Sequence, residues 1–185
     1  MKFFGISAFL LLMSQTGFGQ AKQNVGDFSS VAATDKIQVE LIKANESLVT
    51  FEGQNYENVK VVNTNGALAL KMNTLNMLQG GNISVKVYYK NLKNVEAKKG
   101  AKVFATSNNM VSTDHLKVYA SEGGLVDLHA AAKSVEVKVT SGATIALYGK
   151  ADKQEIISNF GGKYEGKDFK TTSTTVTVNA GGKAV

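Results

Sequence analysis

Four short segments decide the fold of this chain: LKVYASEGG (residues 116–124), VEVKVTSGA (135–143), EIISNFGG (155–162) and TVTVNAGG (175–182). Each segment alternates apolar and polar residues and then reaches a small polar corner that contains glycine. The glycines Gly123, Gly142, Gly161 and Gly181 are spaced 19, 19 and 20 residues apart. A repeat of about 20 residues that contains strands and no helical pattern is typical of a solenoid, in which each copy buries its apolar side against its neighbours.

The apolar positions keep the same register from one repeat to the next. A second strand follows each corner, at residues 125–130 and 144–148, and Val126 precedes Ile145 by 19 residues. Since alternate residues of a strand point to the same side, these positions predict apolar ladders inside a parallel β-helix. Glycine suits the corners because it adopts positive φ without steric cost. An antiparallel sandwich of regular hairpins is the alternative, but it does not require a matched register at one fixed period.

The composition excludes several classes of site. The 185 residues include no Cys, Pro, Trp or Arg, and all 21 basic residues are lysines. The absence of Cys excludes disulfides, a thiolate zinc site, a cysteine nucleophile and a lipid-modified N-terminal cysteine. The length suits one domain.

Residues 1–19 have the pattern of a secretory signal peptide. Lys2 supplies the positive charge, residues 3–13 are an apolar core too short to span a bilayer, and Gly17 and Gly19 precede a cleavage point at Gln20. A short N-terminal anchor is the alternative. A cysteine-free exported chain favours a bacterial envelope protein, located in the periplasm, at the cell surface or outside the cell.

The remaining chain is predicted to form a flexible lead-in (residues 20–26) and one β-helix domain (residues 27–185). Alternating segments predict strands before residue 90, with a tight turn at Asn65 and Gly66. The coils are expected to begin at residue 95, and the extra residues at 107–114 predict a bulging corner. The C-terminal end of the domain is expected to be incomplete or covered by further coils.

The order of these segments resembles a known family. The residues that carry the resemblance are Asp27-Phe28, Ile37 and Val39, Val49, Phe51 and Gly53, Gly66, Leu68 and Leu70, and Ile83, Val85 and Val87, followed by the glycine corners. They are similar to the exported bacterial domain called “putative auto-transporter adhesin, head GIN domain”, which is common in Bacteroidetes. The resemblance implies a right-handed, single-stranded parallel β-helix and no established activity. The corner at residues 140–143 lacks the aspartate that usually ends a corner in this family.

The charge balance favours acidic partners only weakly. The formal net charge is +6, and removal of the signal would leave 20 lysines against 15 acidic residues, a net charge of +5. Such an excess suits acidic surfaces or polysaccharides. However, the lysines alternate with acids, which is typical of solvated strand faces. Nucleic-acid binding is disfavoured because no arginine is present for bidentate phosphate contacts.

The sequence predicts no enzyme, metal site or cofactor. Neither His115 nor His129 belongs to a set of three ligands at metal spacing. Glu136 and Glu155 would stack one coil apart, and paired acids can serve acid–base catalysis. They lie among lysines, however, so a solvated ladder is the better interpretation. A polysaccharide lyase or hydrolase is the weaker alternative, and no serine lies in an elbow motif.

An aromatic and polar strip is the candidate binding site. If Val103, Val126 and Ile145 point inward, then Phe104, Asp127, His129 and Tyr148 point outward. Aromatic rings with hydrogen-bonding neighbours suit sugars, whereas the alternative is that the rings only stabilise the strand ladders. We therefore predict a non-enzymatic adhesin or recognition module for glycans or surface proteins. The alternative function is a structural module that stacks through an open β-helix end.

Overall fold

The computed structural model of the chain describes residues 21–53, 56–73 and 83–185. The predicted signal peptide, residues 1–19, lies outside them. The described residues contain no α-helix, and none of their segments is a helix long and apolar enough to cross a membrane. Their fifteen strands are β1 (Ala21–Asn24), β2 (Ser30–Ala33), β3 (Gln38–Lys43), β4 (Leu48–Glu52), β5 (Val59–Thr64), β6 (Ala67–Met72), β7 (Ser84–Tyr89), β8 (Asn94–Ala97), β9 (Lys102–Ala105), β10 (Val111–Ala120), β11 (Leu125–Val139), β12 (Thr144–Ser158), β13 (Lys163–Glu165), β14 (Phe169–Val178) and β15 (Lys183–Ala184).

Parallel strand pairing builds a β-solenoid of about five turns, with coils about 20 residues apart. In the pairing of β11 with β12, residues 125–139 lie in register with residues 144–158, a shift of 19 residues. The pairing of β12 with β14 has a shift of 20 residues. The predicted fold class is therefore confirmed.

Each regular coil contributes three runs of strand, which we call faces A, B and C. Face A stacks β6, β2, β8, the last parts of β10, β11 and β12, and then β14. Face B stacks β7, β3, β9, the first parts of β11 and β12, β13 and β15. Face C lies between them and consists of residues 111–113, 130–132, 149–151 and 169–171.

Ladders of apolar side chains fill the interior. The inward positions of face B include Val103, Val126, Ile145 and Tyr164, each at most 3% exposed. The matching positions of face A include Val95, Val118, Val137 and Ile156, also at most 3% exposed. Full burial of such a side chain stabilises a fold by roughly 1.5–3 kcal/mol relative to exposure, so the stacked ladders hold the coils together.

Two residues with positive φ form the corner between faces A and B in each regular coil. The second residue is a glycine with φ between 70° and 76°, at Gly100, Gly123, Gly142, Gly161 and Gly181. Two successive positive φ angles are typical of a type I′ turn, so the predicted role of the corner glycines is confirmed. Successive corners are also hydrogen-bonded along the solenoid. The Gly100 N–H donates to the Glu122 carbonyl (3.0 Å), and the Gly123 N–H donates to the Ser141 carbonyl (3.1 Å).

Strands β1, β4, β5, β6 and β7 form what we call the interleaved cap. Strand β7 pairs in parallel with β3 and antiparallel with β4, so it lies between two strands that precede it in the chain. Strand β6 extends face A in parallel with β2, and β5 is its antiparallel partner. Asn65 (φ 50°) and Gly66 (φ 80°) make the predicted tight turn between β5 and β6. Antiparallel strands thus end the parallel stack.

Two features of the N-terminal part differ from the expectations. Residues 21–24, within the expected flexible lead-in, form β1 and pair antiparallel with β4. The coils also begin before residue 95, because β2 and β3 already form one coil, with a corner at Asp35 and Lys36 (φ 63° and 64°). This corner contains no glycine, which is why the glycine pattern did not reveal it.

Candidate functional site

Phe104 and Asp127 occupy outward positions on face B, in two successive coils. They are Cα partners in the pairing of β9 with β11, and both side chains are half-buried. Their chain neighbours Val103 and Val126 are fully buried. Because side chains alternate along a strand, burial of the two valines keeps Phe104 and Asp127 on the outer surface.

His129 and Tyr148 form a stacked pair on the same face. They are Cα partners in β11 and β12, their ring centroids lie 4.9 Å apart, and the ring planes differ by 22°. A pair of rings in this arrangement adds roughly 0.5–1.5 kcal/mol beyond the area it buries. His129 follows Asp127 by two residues, so both project from the same side of β11. The strand pairings therefore bring Phe104, Asp127, His129 and Tyr148 together across three coils.

A shallow depression of 260 Å³ lies within this surface. The residues that line it are Lys102, Phe104, Ala105, Thr106, Ser107, Asp127 and His129. The Lys102 Nζ atom lies 5.2 Å from the centroid of the Phe104 ring, within cation–π range. Ser107–Asn109 form a single 3-10 turn between β9 and β10, and Ser107 lines the depression. The bulging corner predicted at residues 107–114 is therefore shorter than expected, because strand β10 already begins at Val111. Tyr148 adjoins the depression through its contact with His129 rather than lining it.

This surface combines aromatic and polar groups. It presents aromatic rings, one ammonium group, one carboxylate and the hydroxyls of Thr106 and Ser107. The register neighbours of Asp127 are Phe104 and Ala146, so its carboxylate is not stacked on another acid as a paired general acid and base would be.

The stacked glutamates on face A form part of a charged ladder. Glu136 and Glu155 are in register, as predicted, and Lys117 lies in register with Glu136 on the other side. The Lys117 Nζ atom lies 2.8 Å from Glu136 Oε2, and this hydrogen bond raises the pKa of Lys117. The carboxylate of Glu136 is therefore engaged by an ammonium group at the surface, which supports the interpretation as a solvated ladder.

The two histidines lie in different surroundings. His115 Nδ1 lies 2.7 Å from Ser134 Oγ, whereas His129 stacks on Tyr148. Within residues 21–53, 56–73 and 83–185, no group of three or more His, Cys, Asp or Glu side chains is arranged to hold a metal ion.

A second aromatic surface, on face A, was missed by the sequence prediction. Tyr119 lies in register between Glu96 and Lys138 and borders a groove of 340 Å³. The Nζ atoms of Lys98 and Lys138 lie 5.2 Å and 6.0 Å from the centroid of its ring. A hydrogen bond to Glu96 raises the pKa of Lys98, which keeps that ammonium charged. The 19-residue spacing of Tyr119 and Lys138, which equals one coil, could have predicted that these two side chains are neighbours.

Comparison with protein families gives a match to residues 27–185. The matching family is described as “Putative auto-transporter adhesin, head GIN domain”. The chain belongs to this family. The resemblance seen in the order of its strands and corners is thereby confirmed. No curated protein matches the sequence.

Several solved structures share the fold of this family member. A “putative adhesin” from Parabacteroides distasonis has a TM-score of 0.68 and 14% identity, with 90% of this chain and 80% of that chain covered. A “putative adhesin” from Parabacteroides merdae has a TM-score of 0.63 and 17% identity, with 90% and 79% covered. A “putative lipid binding protein” from P. distasonis has a TM-score of 0.64 and 10% identity, with 86% and 78% covered. At these identities the likeness shows the fold alone.

Proposed function

We propose that this protein is an exported, non-enzymatic recognition module of the bacterial envelope that binds glycans through face B. The binding site is the face B strip, defined as Phe104, Asp127, His129 and Tyr148. The observation that carries the proposal is the stacked pair of His129 and Tyr148 beside Phe104, at the edge of an open depression. The family description, which contains the word adhesin, supports attachment, and the signal pattern of residues 1–19 supports export.

The groups on the strip match the two kinds of surface that a sugar has. The rings of Phe104 and Tyr148 offer apolar faces for C–H groups. The Asp127 carboxylate accepts hydrogen bonds from hydroxyls, and the Lys102 ammonium donates them. The depression is open to solvent on one side, so a residue within a long glycan chain can occupy it without the chain ends entering.

A lipid is the less suitable ligand for this surface, although one protein of similar fold is named a putative lipid binding protein. Sites for apolar ligands are lined mainly by hydrophobic side chains that enclose most of the ligand. The depression on face B instead includes Lys102, Asp127, Thr106 and Ser107. These groups would lose water on contact with an acyl chain and gain no hydrogen bond in return.

The test is a glycan-binding screen with the full chain and two matched variants. Tyr148→Ala removes one ring of the face B strip. Tyr119→Ala removes the same side chain, also half-buried, from face A. We expect saturable binding of at least one bacterial surface glycan, at least tenfold weaker in Tyr148→Ala because loss of a ring contact costs about 1–3 kcal/mol. Binding by Tyr119→Ala should stay within about twofold of the unmodified protein.

Three outcomes contradict the proposal in different ways. Binding that is lost only in Tyr119→Ala would place the glycan on face A. Binding that survives both changes would exclude the face B strip while keeping a recognition function. No binding to any glycan, together with a solution mass of two or more chains, would favour the alternative function of stacking through the last coil. The observation behind that alternative is that Val176 and Val178 continue inward ladders on β14 but are 49% and 46% exposed.

A further inference from the structure

A second groove lies where face C meets face A. It has a volume of 450 Å³ and crosses four successive coils, those of β10, β11, β12 and β14. We propose that this groove, which we call the lysine groove, binds an acidic polysaccharide through its carboxylate or sulfate groups. The proposal does not depend on the face B strip, because the residues that line the two depressions are different.

The floor of the lysine groove is a ladder of small residues. Thr113, Ala132, Ala151 and Thr171 lie in register across the four coils. In all three strand pairs, the regular pairing is interrupted at the next residue, between face C and face A. Small side chains at this boundary leave a furrow that runs along the solenoid axis. Three steps between coils at about 4.8 Å each give it a length of about 14 Å.

Two adjacent lysines form one rim of the groove. Lys150 and Lys170 are direct register partners in β12 and β14, and both side chains are exposed. Like charges in this position destabilise a strand pair. Other lysines on neighbouring coils are paired with acids: Lys117 Nζ lies 2.8 Å from Glu136, and Lys133 Nζ lies 3.0 Å from Asp114.

No ion pair joins Lys150 or Lys170 to an acid among the residues that the structure describes. A bound anion between the two ammonium groups would contact both and relieve their repulsion. The lysine pair therefore selects a ligand that carries negative charge at this rim.

The opposite rim decides which kind of anion fits. Lys133 on that rim is engaged by Asp114, and Asp152, the next residue along the rim, presents an exposed carboxylate. A carboxylate repels a ligand that is negative on all sides but accepts hydrogen bonds from hydroxyls. The matching ligand has acidic groups on one edge and hydroxyls on the other, as a chain of uronic acid or sulfated sugar has.

Nucleic acid matches the groove less well. Its phosphates would meet the carboxylate of Asp152, and the groove has no aromatic side chain on which bases could stack. The chain also has no arginine for bidentate phosphate contacts. The groove therefore favours an acidic polysaccharide over a polynucleotide.

The experiment compares two double variants of the full chain. Lys150→Gln with Lys170→Gln removes the rim of the lysine groove. Lys60→Gln with Lys71→Gln removes another exposed pair of register partners, in β5 and β6, and changes the net charge by the same amount. Binding of polygalacturonate (carboxylated), dextran sulfate (sulfated) and neutral dextran is measured by calorimetry at low and at physiological salt.

We expect the unmodified protein to bind at least one of the acidic polymers, more tightly at low salt, and not to bind dextran. The Lys150 and Lys170 double variant should bind that polymer about tenfold more weakly, from two lost contacts of roughly threefold each. The Lys60 and Lys71 control should keep its affinity within about twofold. Which of the two polymers binds identifies the acidic group.

Equal weakening in the two double variants would show a net-charge effect and overturn the proposal. Failure of both acidic polymers to bind would overturn it as well, as would equally tight binding of a double-stranded DNA. Phe104→Ala, which changes the face B strip in the coil of β9, away from Lys150 and Lys170, should leave the binding of acidic polymer unchanged. Failure of the face B proposal and failure of this one are therefore distinguishable.

Discussion

In the regular coils, each strand pairs with a strand one coil later in the chain, as β11 does with β12. In the interleaved cap, β7 lies between β3 and β4, and β6 pairs with β2, which precedes it by more than 30 residues. Both regions supply the same kind of inward apolar ladder. They differ in the distance along the chain between the strands that meet.

The difference shows that the two regions of this solenoid form their strand pairs in different ways. The regular coils can be added one after another, because each contacts mainly its neighbours. The interleaved cap needs contacts between distant segments, whose closure has a higher entropy cost. The coil of β2 and β3 joins the two regions, since β2 lies between β6 and β8 and β3 lies between β7 and β9.

The largest loss of stability should come from cavities made in the apolar interior of the interleaved cap and of the regular coils. Leu70 in the interleaved cap and Leu128 in the regular coils are both fully buried. We expect Leu70→Ala and Leu128→Ala each to lower the free energy of unfolding by about 2–5 kcal/mol. Because the coil of β2 and β3 couples the regions, each variant should unfold in one transition, followed by circular dichroism in urea. A separate early transition in Leu70→Ala would show that the cap unfolds independently.

A smaller loss of stability is expected when a glycine is replaced by alanine, and it should differ between the regular coils and the β5–β6 turn of the interleaved cap. A Cβ at Gly162 would lie 2.5 Å from the Val139 carbonyl oxygen of the preceding coil. At Gly66 the nearest atom would be 4.0 Å away, so the cost there is the strain of a positive φ alone. We expect Gly162→Ala to cost about 1–3 kcal/mol and Gly66→Ala about 1–2 kcal/mol.

Midpoints of thermal unfolding rank these two variants. The change Ala143→Gly is the control, because Ala143 occupies the place of Gly162 one coil earlier. It should cost only about 0.5–1 kcal/mol. A larger loss in Gly66→Ala than in Gly162→Ala would mean that the cap, rather than the stack of coils, is the less tolerant region.

The smallest expected effect is a pH dependence of stability that comes from Asp27. Asp27 Oδ1 lies 2.7 Å from Lys90 Nζ and accepts a hydrogen bond from Ser47 Oγ (3.1 Å). The bond from Lys90, followed by that from Ser47, lowers the pKa of Asp27 below its usual 3.8. A lowered pKa in the folded state gives stability that is present above pH 3.8 and is lost as the pH falls further.

The corresponding experiment compares the unmodified protein with Asp27→Asn. At pH 7 the variant should have a slightly lower melting temperature, and the difference should shrink as the pH falls below 3.8. Lys90→Gln should reduce the same pH dependence, because it removes the main partner of Asp27. A difference that stays constant from pH 7 to pH 2.5 would contradict this assignment.

The fold of the regular coils could be predicted because their signal is local and repeated. The register of Val126 with Ile145 follows from one period, and so does that of His129 with Tyr148. The interleaved cap could not be predicted in this way. Alternation identified β3 and β7 as strands, but the same alternation suits a parallel or an antiparallel partner. The partner of β7 therefore depends on packing that no short segment contains.

The face B strip and the lysine groove also differ in how far the sequence predicts them. The residues of the face B strip follow from strand alternation alone, so their outward positions and mutual contacts were predictable, while their ligand stays a prediction. The lysine groove lies where the strand pairing is interrupted at residues 133 and 152. The sequence predicted separate strands on the two sides of these positions, whereas β11 and β12 run continuously through them. The two lysines of its rim, Lys150 and Lys170, are 20 residues apart, so the repeat predicts their register but not the groove that they border.

The type I′ corners have a consequence for how such a protein can vary. The first corner residue has the same backbone conformation in every regular coil but a different exposed side chain: Lys99, Glu122, Ser141, Phe160 and Ala180. These five residues differ in charge, size and polarity, while the glycine after each of them is constant. These five residues therefore form a row of exposed positions, about 4.8 Å apart along the solenoid. Evolution can exchange their side chains, and protein engineering can attach labels to them, without disturbing the core.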